Sequence, residues 1–360
     1  MTALAISTSA TAARLTMVVG TYTGGGSRGV YTYSIDTSTG DAQLLDSVAV
    51  DNPSYVAVAP DGKHLYTVGE NGVGKSRVNA LSLDKATGHM QLLGSVDARG
   101  DNPCHITFVA PHTVSVANYT SGSLALFNIN PASGILSEAT QVFPFSTSSV
   151  YQPNQDHSHI HFSQVTPDGK YLLVNNLGGD CIYTFKILKD KRQGTATLEL
   201  HDSTKVAPGS GPRHLVFSPD DKKVYLMTEL SDQVMAFNYY DGHLSHYQTI
   251  NAAETPAHGG ADIHITPGEG RYLYASVRLV GDGIAIFKVD YNGLLKKVGY
   301  QKTGRHPRNF IITPDGRLLL CACRDSNVIQ VFSIDSTTGL LTDLHKDIKL
   351  SRPVCLKFAK

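Results

Sequence analysis

The stretch Gly211-Pro212-Arg213-His214-Leu215-Val216-Phe217-Ser218-Pro219-Asp220 has two counterparts elsewhere in the chain. They are Asn52-Pro53-Ser54-Tyr55-Val56-Ala57-Val58-Ala59-Pro60-Asp61-Gly62 and His306-Pro307-Arg308-Asn309-Phe310-Ile311-Ile312-Thr313-Pro314-Asp315-Gly316. Each reads as a short apolar strand running into a Pro-Asp turn, where proline presets φ and a following glycine tolerates φ > 0. A unit that recurs at near-constant spacing decides the architecture before any single residue does.

The turn prolines fall at Pro60, Pro111, Pro167, Pro219, Pro267 and Pro314, with gaps of 51, 56, 52, 48 and 47 residues. The expected first strands are Tyr55–Val58, Ile106–Val109, His161–Val165, Leu215–Phe217, Ile263–Ile265 and Phe310–Ile312. Second strands follow the turns, as in Tyr171–Val174, Val224–Met227 and Leu318–Cys321. Third strands are apolar or alternating, as in Ser123–Ile129, Gln233–Asn238, Gly283–Val289 and Val328–Ile334. A weaker fourth follows a glycine turn at Gly40 and Gly339. Four short antiparallel strands per unit, with no helical periodicity, predict the blades of an all-β propeller.

Six first strands precede the six prolines, and a seventh, Pro353–Phe358, ends the chain. The three strands it lacks lie at the other terminus, over Met17–Tyr22, Gly29–Ile35 and Ala42–Val48. The expectation is a seven-bladed β-propeller whose last blade is closed by the C-terminal strand pairing with N-terminal strands. Closure of this kind hides edges that an open array would expose. At 360 residues two domains would be the naive division; the repeat replaces it with a single domain over 17–360. Residues 1–16 are set apart as a flexible segment or the remnant of an export signal. They are rich in Ala, Ser and Thr but lack a basic start and a solid apolar run.

Composition narrows the partners. The formal net charge is zero, with 31 basic and 31 acidic residues, so no bulk field favours nucleic acid or an anionic membrane. No apolar run approaches the roughly 18 residues a spanning helix needs. Cys104, Cys181, Cys321, Cys323 and Cys355 are odd in number and scattered. They read as buried thiols of a reducing compartment, and the expected location is cytoplasmic, with periplasmic as the alternative if residues 1–16 are a signal remnant.

Function in a propeller gathers where the inner strands line the channel, and four places put charge there. Asp156-His157-Ser158-His159-Ile160-His161 leads into a first strand; if it is extended, its three histidines share a face. The His-x-His spacing is also a ligand spacing, but partner residues are not evident, so no metal is expected. Arg213 and His214 occupy the same phase one unit later. Glu229 ends a second strand where a core residue would be apolar. Arg278 ends another, preceded by Asp262 and His264, and Arg305, His306, Arg308 and Asn309 repeat the theme. The competing reading of each is a solvated group on the blade rim. Arginines converging in a chain of zero net charge suit a small anionic ligand, because guanidinium pairs its donors with phosphate or carboxylate. No GxSxG elbow, Walker loop or dinucleotide fingerprint stands in a strand-to-helix setting. Gly24-Gly25-Gly26 reads as a hairpin turn.

In order along the chain, Val19-Gly20-Thr21-Tyr22-Thr23, Asn102-Pro103-Cys104-His105, Ala117-Asn118-Tyr119, His159-Ile160-His161, Leu177-Gly178-Gly179-Asp180, Gly211-Pro212-Arg213-His214, Ala261-Asp262-Ile263-His264 and Pro307-Arg308-Asn309-Phe310 resemble one family. It is the bacterial 6-phosphogluconolactonases of the seven-bladed propeller type, with the related fungal carboxymuconate cyclases, and the resemblance runs from Met17 to Phe358. It implies a lactone hydrolase of carbohydrate metabolism, in the pentose phosphate pathway, with His161, Glu229 and Arg213 as catalytic residues. Arg278, His159, His214, Arg308 and Asn118 would bind the substrate, a small anionic sugar lactone. Neither a metal nor another cofactor is required. The family's NEL, SNR and DLG phrases are here Thr228-Glu229-Leu230, Ser276-Val277-Arg278 and Asn176-Leu177-Gly178. Water attack on the lactone carbonyl would use His161 or Glu229 as general base, with Arg213 on the oxyanion and Arg278 and Arg308 on the phosphate. The alternatives are a lactone-forming cycloisomerase, which runs the same groups in reverse, and a non-catalytic propeller that binds a protein or glycan on its rim.

Overall fold

The computed structural model describes residues 14–359, and the part of the N-terminal segment over residues 1–13 lies outside the described residues. Seven antiparallel sheets follow one another around a ring. Blade 1 begins with Val56–Val58 and blades 2 to 6 with Pro103–Ala110, Ile160–Val165, Pro212–Phe217, Gly260–Ile265 and Pro307–Ile312. In blade 7 the inner strand is the C-terminal one, Pro353–Ala359, followed outward by Arg14–Thr21, Gly29–Asp36 and Ala42–Ala49. Closure is in register, with Met17 opposite Phe358, Val19 opposite Leu356 and Gly20 opposite Cys355. The expected ring is therefore observed, with the first N-terminal strand starting at Arg14 rather than Met17.

Among the described residues the only helical segment is a single 3₁₀ turn, Arg324–Ser326. The core sits between blades, because each inner sheet is apolar on both faces. Met17, Val19 and Leu356 of blade 7 pack with Leu320, Ile329 and Val331 of blade 6. Tyr225 and Phe287 belong to another such layer, between blades 4 and 5. Hydroxyls lock neighbours together at the outer hairpins. Tyr66 donates to the Gly134 carbonyl (2.8 Å), Tyr225 to that of Gly293 (3.0 Å) and Tyr274 to that of Gly339 (2.8 Å). All five cysteines are buried and unpaired as disulfides.

Two repeated backbone features shape the channel mouth. The residue that follows each second strand donates its N–H to the carbonyl just before that blade's first strand. The seven bonds run from Tyr22, Glu70, Tyr119, Leu177, Glu229, Arg278 and Arg324 to Arg352, Asn52, Asn102, His159, Gly211, Gly259 and His306, at 2.7–3.1 Å. Five of those acceptors, Asn52, Asn102, Gly211, His306 and Arg352, have φ between 43° and 67°, a left-handed turn that aims the following Pro into the strand.

The second feature is a β-bulge. Pro212 pairs with Thr228 but His214 with Met227, so Arg213 is an extra residue without a ladder partner. The same shift isolates Cys104, His161 and Arg308 in their blades. A bulge bends its strand and re-aims one side chain, which is why bulges collect at functional sites.

Candidate active site

The bulged residues and the residues that follow the second strands form two tiers around one mouth of the channel. Their charged members meet. Glu229 Oε2 accepts from Arg213 Nε at 2.7 Å and lies 2.9 Å from Arg278 Nη2. Arg213, 1% exposed, also donates through Nη1 to the Ala261 carbonyl at 2.7 Å. Arg278 donates to the carbonyls of Gly259 and Gly260, each at 3.1 Å, and its Nη1 lies 3.4 Å from His306 Nε2. Both guanidiniums are thus fixed by a carboxylate and by backbone, which orders their planes.

Electrostatics follow from this burial. Desolvation works against the Glu229 charge, but Arg278, Arg213 and Arg308 outweigh it and hold the carboxyl below its usual range. Burial brings the Arg278 pKa down to about 9, against the opposing pull of Glu229. His161 is pushed well below the ordinary imidazole value, first by burial and then by Arg213, His214, Arg308 and Arg278. It is neutral near pH 7, and its Nδ1 is buried without a hydrogen-bond partner. Such an orphaned atom in a native site calls for a functional account.

Arg308 stands on the far side of the mouth. Its Nη2 is 3.9 Å from Glu70 Oε2, and its guanidinium lies over the Tyr22 ring at 5.5 Å. The Tyr22 hydroxyl donates to Glu70 at 2.9 Å. Burial opposes the Arg308 charge, yet Tyr22, Glu70 and Glu229 raise its pKa, so it stays a cation. Tyr119 packs edge-on to His161, with ring centroids 5.7 Å apart.

One layer deeper the channel is filled. The His214 ring packs against Phe162 (4.7 Å) and His161 (5.3 Å), and its Nδ1 donates to Asp262 Oδ1 at 2.7 Å. Burial brings the His214 pKa down to about 3, so the ring is neutral. Asp262 also accepts from Asn309 Nδ2, from the Phe310 N–H (3.2 Å) and from His264 Nε2 (3.1 Å). Lys357, from the closing strand, donates to the Tyr55 hydroxyl at 3.1 Å.

Of the expected residues, His161, Arg213, Glu229, Arg278 and Arg308 come together at the mouth. The others are placed differently. His214 lies in the layer beneath as a support for Asp262. Asn118 is fully buried; its Nδ2 donates to the Ala98 carbonyl and to Ser123 Oγ, while its Oδ1 has no hydrogen-bond partner. Its neighbour Tyr119 is the one that reaches the mouth. The strand of blade 3 starts at Ile160, so His157 and His159 stand in the preceding loop and do not share a strand face with His161. His159 stacks on Tyr119 at 4.2 Å. Glu70, Tyr22 and Tyr119 went unpredicted, although they occupy the same phase as Glu229 and Arg278, the position after each second strand. The open cleft lined by His112, Asn128, Pro131, Arg192 and Gln193 lies at the outer hairpins and gathers no comparable charge.

Comparison with known proteins identifies the family. The sequence profile of the lactonase family, described as a seven-bladed β-propeller, matches residues 16–358. A 6-phosphogluconolactonase of Formosa agariphila is 38% identical, covering 89% of this chain and 92% of its own. One from Bacillus subtilis is 33% identical, covering 94% and 97%. A solved Bacteroides fragilis structure, proposed to be a 6-phosphogluconolactonase, superposes with a TM-score of 0.94 at 47% identity, covering 97% of this chain and 99% of its own. The Pseudomonas aeruginosa periplasmic gluconolactonase superposes with a TM-score of 0.87 at 30% identity, covering 96% and 99%. The chain belongs to the seven-bladed β-propeller family of lactonases and is a lactone-hydrolysing enzyme.

Proposed function

We propose that this lactonase opens 6-phosphogluconolactone to the free acid at the mouth built by His161, Arg213, Glu229, Arg278 and Arg308. The observation that carries the reading is the convergence of three arginines from three consecutive blades on one neutral imidazole, two of them paired with Glu229 and the third with Glu70. The cationic excess suits a phosphorylated lactone. A six-membered sugar lactone is an activated ester, so a positioned water, a proton acceptor and an oxyanion partner suffice.

Of the two candidate bases, His161 is the better proton acceptor. Protonating Glu229 would break two charge-assisted contacts at once, whereas His161 is neutral and carries an unpartnered nitrogen. Its low pKa comes first from burial and then from Arg213, His214, Arg308 and Arg278, so a bound phosphate that neutralises the arginines raises its basicity. Glu229 then acts by orienting Arg213 and Arg278, and Arg213 stabilises the oxyanion. Such a base contributes roughly 10²–10⁴-fold, and an oxyanion donor about 10²–10³-fold.

Unphosphorylated gluconolactone is the second reading. It is favoured by Glu70, which already stands opposite Arg308, and by the likeness to the periplasmic gluconolactonase. Location divides with substrate: phosphorylated sugar lactones are cytosolic metabolites, so the first reading carries a cytoplasmic enzyme and the second fits an exported one. The test is hydrolysis of both freshly made lactones by wild type and Arg213→Ala, corrected for spontaneous opening. A rate on the phosphorylated lactone that is high in the wild type and lost in the variant supports the proposal. Equal or greater turnover of the unphosphorylated one supports the second reading.

A further inference from the structure

The loop that leads into blade 3 gathers three donor atoms that the hydrolytic chemistry does not use. Asp156, His157 and His159 offer ligand atoms that all lie within 4.8 Å of one another. His157 Nε2 is 2.9 Å from the Thr120 carbonyl, and His159 Nδ1 is 3.0 Å from the Tyr119 carbonyl. A carbonyl only accepts, so each of these nitrogens carries a proton. The ring nitrogens left over are His157 Nδ1 and His159 Nε2. Both face the same carboxylate oxygen: Asp156 Oδ1 is 2.6 Å from the first and 3.7 Å from the second. The 2.6 Å contact is a hydrogen bond, with a proton between His157 Nδ1 and Asp156 Oδ1 that a bound metal ion would displace, and each imidazole is braced from behind by a backbone carbonyl. That is the arrangement by which proteins fix the tautomer of a metal-binding histidine.

We propose that Asp156, His157 and His159 bind one divalent transition-metal ion of the zinc class. Two imidazoles and one carboxylate suit zinc, and the mixed set argues against magnesium or calcium, which prefer all-oxygen shells. His159 is buried, whereas the Asp156 and His157 side chains are half exposed, so water can complete the coordination.

The scaffold under the loop is rigid. Gln155 Nε2 donates to the Leu177 carbonyl at 2.8 Å, and Ser158 Oγ to that of Thr147 at 2.9 Å. Side chains at Gly122 and Gly178 would fall on the Ser158 and His157 carbonyls, so glycine at both places lets the neighbouring turns press against the loop. Sequence spacing alone gave His-x-His without a partner, and the fold supplies Asp156 and the two carbonyls of residues 119 and 120. Because His159 stacks on Tyr119, the ion would sit one side chain away from the channel mouth.

The test is calorimetric titration of the chelator-treated, dialysed full chain with zinc chloride, beside His157→Ala, Asp156→Asn and His159→Gln. Wild type is expected to bind one ion per chain. Each variant should bind at least about tenfold more weakly, and magnesium chloride should give no saturable heat. Cobalt(II) should give the visible absorption of a low-coordinate site in the wild type only. His157 is half exposed, so His157→Ala is expected to keep the wild-type melting temperature without metal, which separates lost ligation from lost folding. Absence of saturable zinc binding in the wild type overturns the proposal and leaves His157 hydrogen-bonded to Asp156 alone. Zinc binding undiminished in His157→Ala overturns it equally, because the ion then sits elsewhere.

Discussion

Glu229 Oε2 lies 2.7 Å from Arg213 Nε, joining the end of one blade's second strand to the bulge in the same blade's first strand. Arg278 reaches the same oxygen from the next blade, so the contact is also a joint between blades. Removing Glu229 would leave two buried guanidiniums facing each other. Glu229→Gln is expected to destabilise the fold by about 3–5 kcal/mol, the usual range for stripping one partner from a buried pair. Denaturant unfolding reads this out. A change under 1 kcal/mol would mean that the arginines relax to other partners.

Substitution of His161 separates chemistry from structure. His161→Asn is expected to lower kcat by roughly 10²–10⁴-fold with KM little changed. The comparison is Glu229→Gln assayed under conditions where it remains folded. If His161→Asn keeps wild-type turnover, the base is Glu229.

Arg213 spends separate donors on Glu229 and on the Ala261 carbonyl, a fork that a single ammonium does not reproduce. Arg213→Lys should therefore lose most of the activity that Arg213→Ala loses, about 10²–10³-fold in kcat. Steady-state rates on the preferred lactone decide it, and recovery of most activity in the lysine variant would reduce Arg213 to a point charge.

Arg308 sits across the mouth with Glu70 and Tyr22. Arg308→Ala should raise KM for the phosphorylated lactone at least about tenfold, as expected for a charge-assisted contact of roughly 1.5–3 kcal/mol, and leave KM for gluconolactone nearly unchanged. Equal effects on both substrates would place the phosphate elsewhere.

Acid stability should be governed by the channel histidines. Burial is the main cause that lowers His214 to about 3 and His306 to about 2, and it depresses His105 and His161 well below their usual value. The unfolded chain binds these protons below about pH 6.5 while the folded chain does not. Stability is therefore fully present above about 6.5 and is lost as pH falls toward the folded values, by up to about 1.4 kcal/mol per pH unit for each histidine. His105 lies between Tyr55 and Phe162, each 4.2 Å away, so His105→Phe should fold and reduce that slope by one histidine. Urea midpoints between pH 7 and 5 test it, and an unchanged slope would show that His105 takes up its proton in the folded state.

The blade count, the closing strand and the phase of the channel residues were legible in the chain. They depend on local chemistry: proline and glycine fix the turns, and short apolar strands repeat at a steady interval. His161, Arg213, Glu229, Arg278 and Arg308 stood out for the same reason, as charge at positions where a packed sheet gains nothing from it. Tertiary structure decided the rest. A period-two reading of strands does not reveal a one-residue bulge, yet the bulge is what turns Arg213 and His161 inward and leaves His214 one layer below. Nor does a linear repeat say which blades face each other across the axis. Glu70 opposes Arg308 through a contact between residues far apart in the chain, and Asp156 meets two histidines braced by the carbonyls of residues 119 and 120. Ring closure creates those encounters, because it brings equivalent positions of different blades within a few ångströms of one another.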